Sequence, residues 1–173
     1  FYPGPGTGGH CIPVDPHYLA WKMRTLDYNP RLIQASTQIN DDMPRYVLDR
    51  ISEALNQQGK TLEDSSVMVL GVAYKPDIND TRESPALDLL RLLKEQGANV
   101  TYHDPYVPEL DIEGLCLRSI PLTEQVLQAS DCVVVVTPHT SYDWKSVAEN
   151  SSLVFDTRNV LKGIYGKGRV VKL

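Results

Sequence analysis

An α/β fold, a doubly wound parallel sheet preceded by one long helix, is the fold class that this 173-residue sequence predicts. Three observations predict it. Short apolar runs alternate with amphipathic stretches from residue 67 onward. Those runs are near-continuously apolar, as strands covered on both faces are. Between residues 30 and 57, apolar residues recur at helical spacing over an unusual length.

Residues 1–18 hold four Pro and four Gly, so an irregular loop is expected, with a short helix from Tyr18 to about Met23. From about Pro30 to Gln57, Leu32, Ile33, Ala35, Ile39, Met43, Tyr46, Val47, Ile51, Ala54 and Leu55 mark an amphipathic stripe. This is one long helix or two collinear ones, since Pro44 ends or kinks what precedes it unless Asp42 caps a fresh start. A stripe of that length needs a partner surface, either its own domain or a second copy. At about 1.5 Å per residue it runs roughly 36 Å, more than one neighbour easily covers, so residues 32–55 are expected to be largely a homodimer contact.

The polar stretch 56–66 ends the helix and is read as a domain boundary. Val67–Val72 should be a buried strand. Ser84 and Pro85 read as N-cap and first-turn proline of a helix through about Gln96, closed by Gly97. A strand at Asn99–His103, a helix over 121–129 and a central strand at Cys132–Val136 follow. A helix over 143–149 and strands over 152–156 and 168–172 complete the series, so residues 67–173 are expected to fold independently.

Hydrophobic content of 42% and charged content of 23% are ordinary for a globular chain and exclude wholesale disorder. No apolar run is long enough for a membrane span. Lys plus Arg number 17 against 22 Asp plus Glu, and a net charge of −5 argues against a nucleic-acid partner. Three cysteines at unrelated spacings make a disulfide framework unexpected and a reducing cytoplasm the default. The sequence starts on Phe1, without the features of a signal peptide, and a chain cut from something longer is expected.

Gly4-Pro5-Gly6-Thr7-Gly8-Gly9 fits the dinucleotide pattern G-x-G-x-x-G, but that pattern has meaning only between a strand and a helix. Pro3, Pro13 and Pro16 stand around it, so the segment reads as a loop whose backbone can approach a ligand closely. The second half has Rossmann-like strand–helix–strand order without the fingerprint, and its ligand crevice is expected at the carboxyl ends of the strands. The loops there carry Tyr74, Lys75, Asp80, Arg82, Asp104, His139, Asp156 and Arg158. Cations for phosphates and a ring for a base would suit a nucleoside diphosphate; equally, polar residues occupy loops everywhere.

Cys11 in the glycine loop, with Asp15 four residues on, reads as a nucleophile with a partner carboxylate. Alternatives stay open: a packing cysteine, a metal site of His10, Cys11, Asp15 and His17, or activation by His10. Cys116 and Cys132, in or near strands, suit a small buried hydrophobe better than Cys11 does.

The stretches PGPGTGGHCIPVDPHYL, GVAYKPDINDTRESPALDLLRLLKEQGANVTYHDP and FDTRNV occur in this order and together closely resemble the UDP-glucose/GDP-mannose dehydrogenase family. The resemblance implies oxidation of the C6 alcohol of a nucleotide sugar to the acid, with NAD as cofactor. It implies that residues 1–60 are the end of the central helical region with the catalytic cysteine loop, and residues 61–173 a Rossmann-like UDP-binding domain. The N-terminal NAD-binding domain is expected to be absent from this chain.

Carried over residue by residue, Cys11 would be the nucleophile and Asp15 the carboxylate assisting water and proton steps. Gly6 and Gly8 would wrap the sugar and pyrophosphate. Tyr74, standing where relatives often carry Phe, and Lys75 would meet the nucleotide. Arg82 would reach the cofactor pyrophosphate and Arg158 the substrate. His10 and the Ile-Pro-Val-Asp-Pro continuation resemble the N-acetylhexosamine branch, whose substrates are UDP-N-acetylglucosamine or UDP-N-acetylmannosamine; we take the former, with UDP-glucose and GDP-mannose as alternatives. The resemblance implies a cytoplasmic enzyme of polysaccharide biosynthesis and a homodimer or higher homo-oligomer through the central helix. A non-catalytic nucleotide-binding and dimerising module is the reading from another class.

Overall fold

The computed structural model describes residues 3–112 and 114–173. Phe1 and Tyr2, at the start of the loop expected over 1–18, lie outside them. The loop leads into α1 (Asp15–Arg24), which starts before Tyr18 because Pro16 opens the helix instead of breaking it. A first-turn proline gives up only an N–H that has no helical partner there, and Asp15 places a carboxylate at the positive helix end.

α2 (Arg31–Asn56) is a single helix that runs through Pro44. Proline lacks the N–H that would bond the Asn40 carbonyl, so one rung of the ladder is missing there. The stripe divides at this point. Leu32 and Ile39 are 82% and 66% exposed, whereas Val47, Leu48, Ile51 and Leu55 are buried. The expectation of a largely intermolecular stripe over 32–55 is therefore corrected: its second half packs on α3 (Pro85–Glu95) within the chain.

α3 is capped as its sequence predicts. Ser84 Oγ accepts the Ala86 N–H, Pro85 occupies the first turn, and Gly97 adopts φ +82° beyond the end. β1 (Ser66–Leu70), β2 (Asn99–His103), β5 (Cys132–Val135), β6 (Leu153–Asp156) and β7 (Arg169–Lys172) form one parallel sheet in the order β2-β1-β5-β6-β7. Side chains alternate with the pleat. Val67, Val69, Val134 and Phe155 face the α2/α3 side. Met68, Leu70, Val133 and Val135 face α4 (Glu124–Ala129) and α5 (Trp144–Asn150) on the other. The sheet is doubly wound, as expected. No helix of the described residues is long and apolar enough to cross a membrane.

The sequence reading left one element out. β3 (Glu109–Ile112) and β4 (Leu115–Arg118) form an antiparallel hairpin beyond the β2 edge, joined to it by the Tyr102–Ser119 bridge. Cys116 lies on this hairpin and is exposed, which corrects its reading as a buried residue; Cys132, at the start of β5, is buried. The hairpin is two short strands with one face to solvent, so alternate positions such as Cys116 lie outside the core.

Candidate active site

The strand order reverses between β1 and β5, and an open α/β sheet holds its ligand where that reversal leaves a crevice at the carboxyl ends. Gly71, just past β1, adopts φ +81°, and a methyl group there would collide with the Thr137 carbonyl just past β5. Only glycine lets the two strand ends approach so closely. From this point the 72–84 loop and the glycine loop rise together and, with the first half of α2, enclose a cavity of about 700 Å³.

Five of the residues singled out from the sequence line this one cavity: Gly6, Gly8, Tyr74, Lys75 and Arg158. Thr137, Pro138, Asn40 and Met43 also line it, and sequence reasoning missed them. For Thr137 a signal existed, since it directly follows the apolar run CVVVV at a strand's carboxyl end. Asn40 gave none; its role appears only in space, where Asn40 Oδ1 accepts the Thr7 N–H at 2.7 Å and ties the glycine loop to α2.

The glycines themselves serve docking. A methyl on Gly8 would come within 2.5 Å of the Glu83 carbonyl oxygen, and one on Gly9 within 2.9 Å of the Tyr74 ring. The Gly9 N–H donates to the Arg82 carbonyl at 3.0 Å. The close approach expected between this loop and a ligand is thus used, at Gly8 and Gly9, between two parts of the chain.

Arg158 is the cation set deepest beside the cavity. Its Nε donates to the Val136 carbonyl at 2.8 Å, and its guanidinium lies where a methyl on Gly4 would have to go. Burial pushes its pKa down, and among the described residues it has no carboxylate partner. Lys75 is exposed at the cavity wall.

Cys11, Asp15 and Arg82 are not among the cavity-lining residues; they stand beside it on exposed positions. The Cys11 carbonyl accepts the Val14 and Asp15 N–H groups at 3.1 and 2.8 Å, a turn that sets Cys11 immediately before α1. The Arg82 guanidinium grips the Asp80 carboxylate through Nε at 3.0 Å and Nη2 at 2.5 Å, and Nη2 lies 3.4 Å from His10 Nδ1. These guanidinium bonds, with the Arg82 backbone N–H, hold the Asp80 carboxyl down at about 2. Among the described residues no three His, Cys, Asp or Glu gather to hold a metal, so the four-residue metal alternative has no geometric support.

Three of the crevice polar residues are engaged in bonds within the chain. Asp104 and His139 pair in the interior, and Asp156 accepts the Arg158 and Leu161 N–H groups at 3.0 and 2.9 Å. The two carboxylates accept from backbone N–H groups, and Asp104 also from His139, which spacing along the chain could not reveal.

The G-x-G-x-x-G segment does not have the geometry of a dinucleotide fingerprint. Beyond Gly9 the chain makes turns, and a helix opens only at Asp15, so no helix N-terminus receives a pyrophosphate at the G-x-G-x-x-G segment.

Comparison with known proteins agrees with this architecture. Residues 68–163 match the UDP binding domain of the UDP-glucose/GDP-mannose dehydrogenase family, and residues 1–42 match its central domain. A UDP-N-acetyl-D-mannosamine dehydrogenase of Methanococcus maripaludis is 34% identical over 92% of this chain and 36% of its own length. A UDP-N-acetyl-D-glucosamine 6-dehydrogenase of Salmonella typhi is 30% identical over 89% of this chain and 37% of its own. The structure of a UDP-D-ManNAc dehydrogenase from Pyrococcus horikoshii superposes with a TM-score of 0.83 at 29% identity, over 99% of this chain and 40% of that one. The chain therefore spans little more than a third of the length of such relatives. With the family's UDP binding domain matched over more than half of its length and the central domain matched before it, the chain belongs to the UDP-glucose/GDP-mannose dehydrogenase family.

Proposed function

We propose that this chain is the nucleotide-sugar-binding part of an NAD-dependent dehydrogenase that converts the C6 alcohol of a UDP-N-acetylhexosamine to the uronic acid. The observation that carries the reading is Arg158, a half-buried guanidinium that lines the cavity at the sheet's reversal point and has no carboxylate partner among the described residues. A cation partly withdrawn from water calls for an anion. Lys75 adds a second charge and Tyr74 a ring, which together suit a pyrophosphate and a base. In this reading residues 61–173 bind the UDP moiety, while residues 1–60 bring the cysteine loop and, through the exposed first half of α2, a second copy of the chain. The reaction belongs to a reducing cytoplasm, in keeping with three free cysteines.

A bound nicotinamide dinucleotide would accept hydride in this chemistry, and of these residues only Arg82 is assigned toward it. The steps proposed for this chain are two. Cys11 Sγ adds to C6 of the aldehyde: the C–S bond forms as the C=O π bond opens, and the oxygen takes up the proton that the thiol gives up. After that adduct has been oxidised to a thioester, water adds at C6, the C–S bond breaks, and the thiolate returns as the acid leaves. Asp15 takes the proton from the water. Arg82, kept charged by Asp80, stands beside the cysteine loop as a cation available to the cofactor pyrophosphate.

Calorimetric titration of the chain with UDP, GDP and NAD⁺ tests the binding half of the reading. UDP is expected to bind, GDP more weakly and NAD⁺ negligibly, and Arg158→Ala or Lys75→Ala should weaken UDP by about tenfold, about 1.4 kcal/mol. Equal UDP affinity in both variants would overturn it. UDP-N-acetylglucosamine and UDP-N-acetylmannosamine, titrated side by side, decide the hexose.

A further inference from the structure

Asp104 and His139 are 2% and 0% exposed, and neither lines the cavity nor has a part in the chemistry proposed above. Asp104 Oδ2 accepts from the Val72 N–H at 2.7 Å, the Ala73 N–H at 3.1 Å and His139 Nε2 at 2.9 Å. Its Oδ1 accepts the Tyr106 and Val107 N–H groups at 2.8 and 3.2 Å. His139 Nδ1 accepts the Asp77 N–H at 2.9 Å, so the ring proton sits on Nε2 and is donated to Asp104. Asp77, at φ 63°, then accepts the Thr140 N–H and hydroxyl at 2.9 and 3.1 Å.

The placement of these bonds is informative. Ala73 is fixed by Asp104 directly, and Asp77 is fixed by the same carboxylate through the imidazole. Between the two anchors lie residues 74–76, Tyr74, Lys75 and Pro76, and all three line the cavity. An aliphatic side chain would fill the His139 site at a lower desolvation cost. What imidazole adds is a bridge between a buried carboxylate at the end of β2 and the backbone of this loop.

We propose that His139 and Asp104 are positioning residues that set Tyr74 and Lys75 for the nucleotide. The proposal rests on the nucleotide-binding reading of the cavity. Two isosteres separate the two bonds of the ring. In His139→Gln the amide nitrogen replaces Nε2 and still donates to Asp104, but nothing accepts the Asp77 N–H. In His139→Asn the amide oxygen replaces Nδ1 and still accepts the Asp77 N–H, but Asp104 loses its donor.

In the 173-residue chain, His139→Gln is expected to keep a melting temperature near that of the wild type while UDP affinity falls about tenfold and amide exchange over residues 74–80 rises. His139→Asn is expected to lose thermal stability, yet its folded fraction should bind UDP within about threefold of wild type. Thr140→Val, an exposed change at the same anchor, should raise exchange over 74–80 by a smaller factor without altering melting. Unchanged exchange and UDP affinity in His139→Gln, or parallel loss of stability and affinity in both His139 variants, would overturn the proposal. If the wild type itself takes no UDP, the nucleotide reading fails, while the exchange pattern of the ligand-free variants still decides whether His139 anchors the loop.

Discussion

Gly8 and Glu83 meet so closely that a methyl group on Gly8 would stand 2.5 Å from the Glu83 carbonyl oxygen. Glu83 presents that oxygen from a left-handed conformation, φ 50°, so neither backbone has room to yield. Gly8→Ala should therefore cost about 1–3 kcal/mol of loop docking. The expected outcome is faster proteolysis within residues 3–14, read by mass spectrometry, with the sheet's melting little changed. A wild-type cleavage rate in the variant would show that the contact does not hold the loop.

The three cysteines should differ in reactivity. Burial pushes the Cys132 thiol up to about 12, whereas Cys11 and Cys116 are exposed. A thiol-disulfide reagent should titrate two thiols in the native chain and the third only after unfolding. Protection of Cys116 would return it to the buried role first read from its strand position.

Asp104 gives the acid limb of stability a specific source. Burial alone would raise its carboxyl, but the bonds from His139, Val72 and Tyr106 outweigh that and hold it below the usual carboxylate range. The folded state then binds fewer protons than the unfolded one. The resulting stability is complete above the unfolded pKa of about 3.9 and drains as pH falls through the lower folded value. Asp104→Asn should cost about 3 kcal/mol at neutral pH and flatten the decline below pH ~4, as measured by denaturant titration across pH.

The divided stripe of α2 predicts two different phenotypes. Ile51 is fully buried, and Ile51→Ala should destabilise the chain by about 3 kcal/mol. Ile39 is 66% exposed, and Ile39→Ala should leave monomer stability within about 0.5 kcal/mol of wild type while weakening the proposed self-association. Sedimentation and denaturant melts of both variants check this, and an Ile39 variant that associates like the wild type would remove that residue from the interface.

Much of the fold was legible because single residues report directly on local geometry. Ser84-Pro85 and Gly97 bracket α3, and the run Cys132–Val136 contains a central strand, because capping and two-sided burial leave signatures in sequence. The hairpin at 109–118 left little trace, since two short strands with a wet face need neither a long apolar run nor strict alternation. Pro16 was misleading because the same residue that stops a helix interior opens a helix start. In the site, strand–helix alternation places a crevice at the carboxyl ends of the strands, and of the eight loop residues named there Tyr74, Lys75 and Arg158 line the cavity. The Asp104–His139 pair could not be read this way, because its partners are separated by 35 positions and joined only by the β2 and β5 ends meeting β1.

Pro44 gives the chain a compliant point. A helix resists bending through its hydrogen-bond rungs, and α2 lacks one at the residue where its exposed half meets its buried half. The half beyond Pro44 is clamped by α3; the half before it carries Ser36, Ile39 and Asn40 along the cavity wall. Flexure is therefore concentrated at the root of that wall, and a small angular change at Pro44 is levered into a larger displacement at Ser36. The cavity thus lies between the sheet ends and a helix half joined to its clamped half at the missing rung, and the Asn40–Thr7 bond couples the cysteine loop to that half.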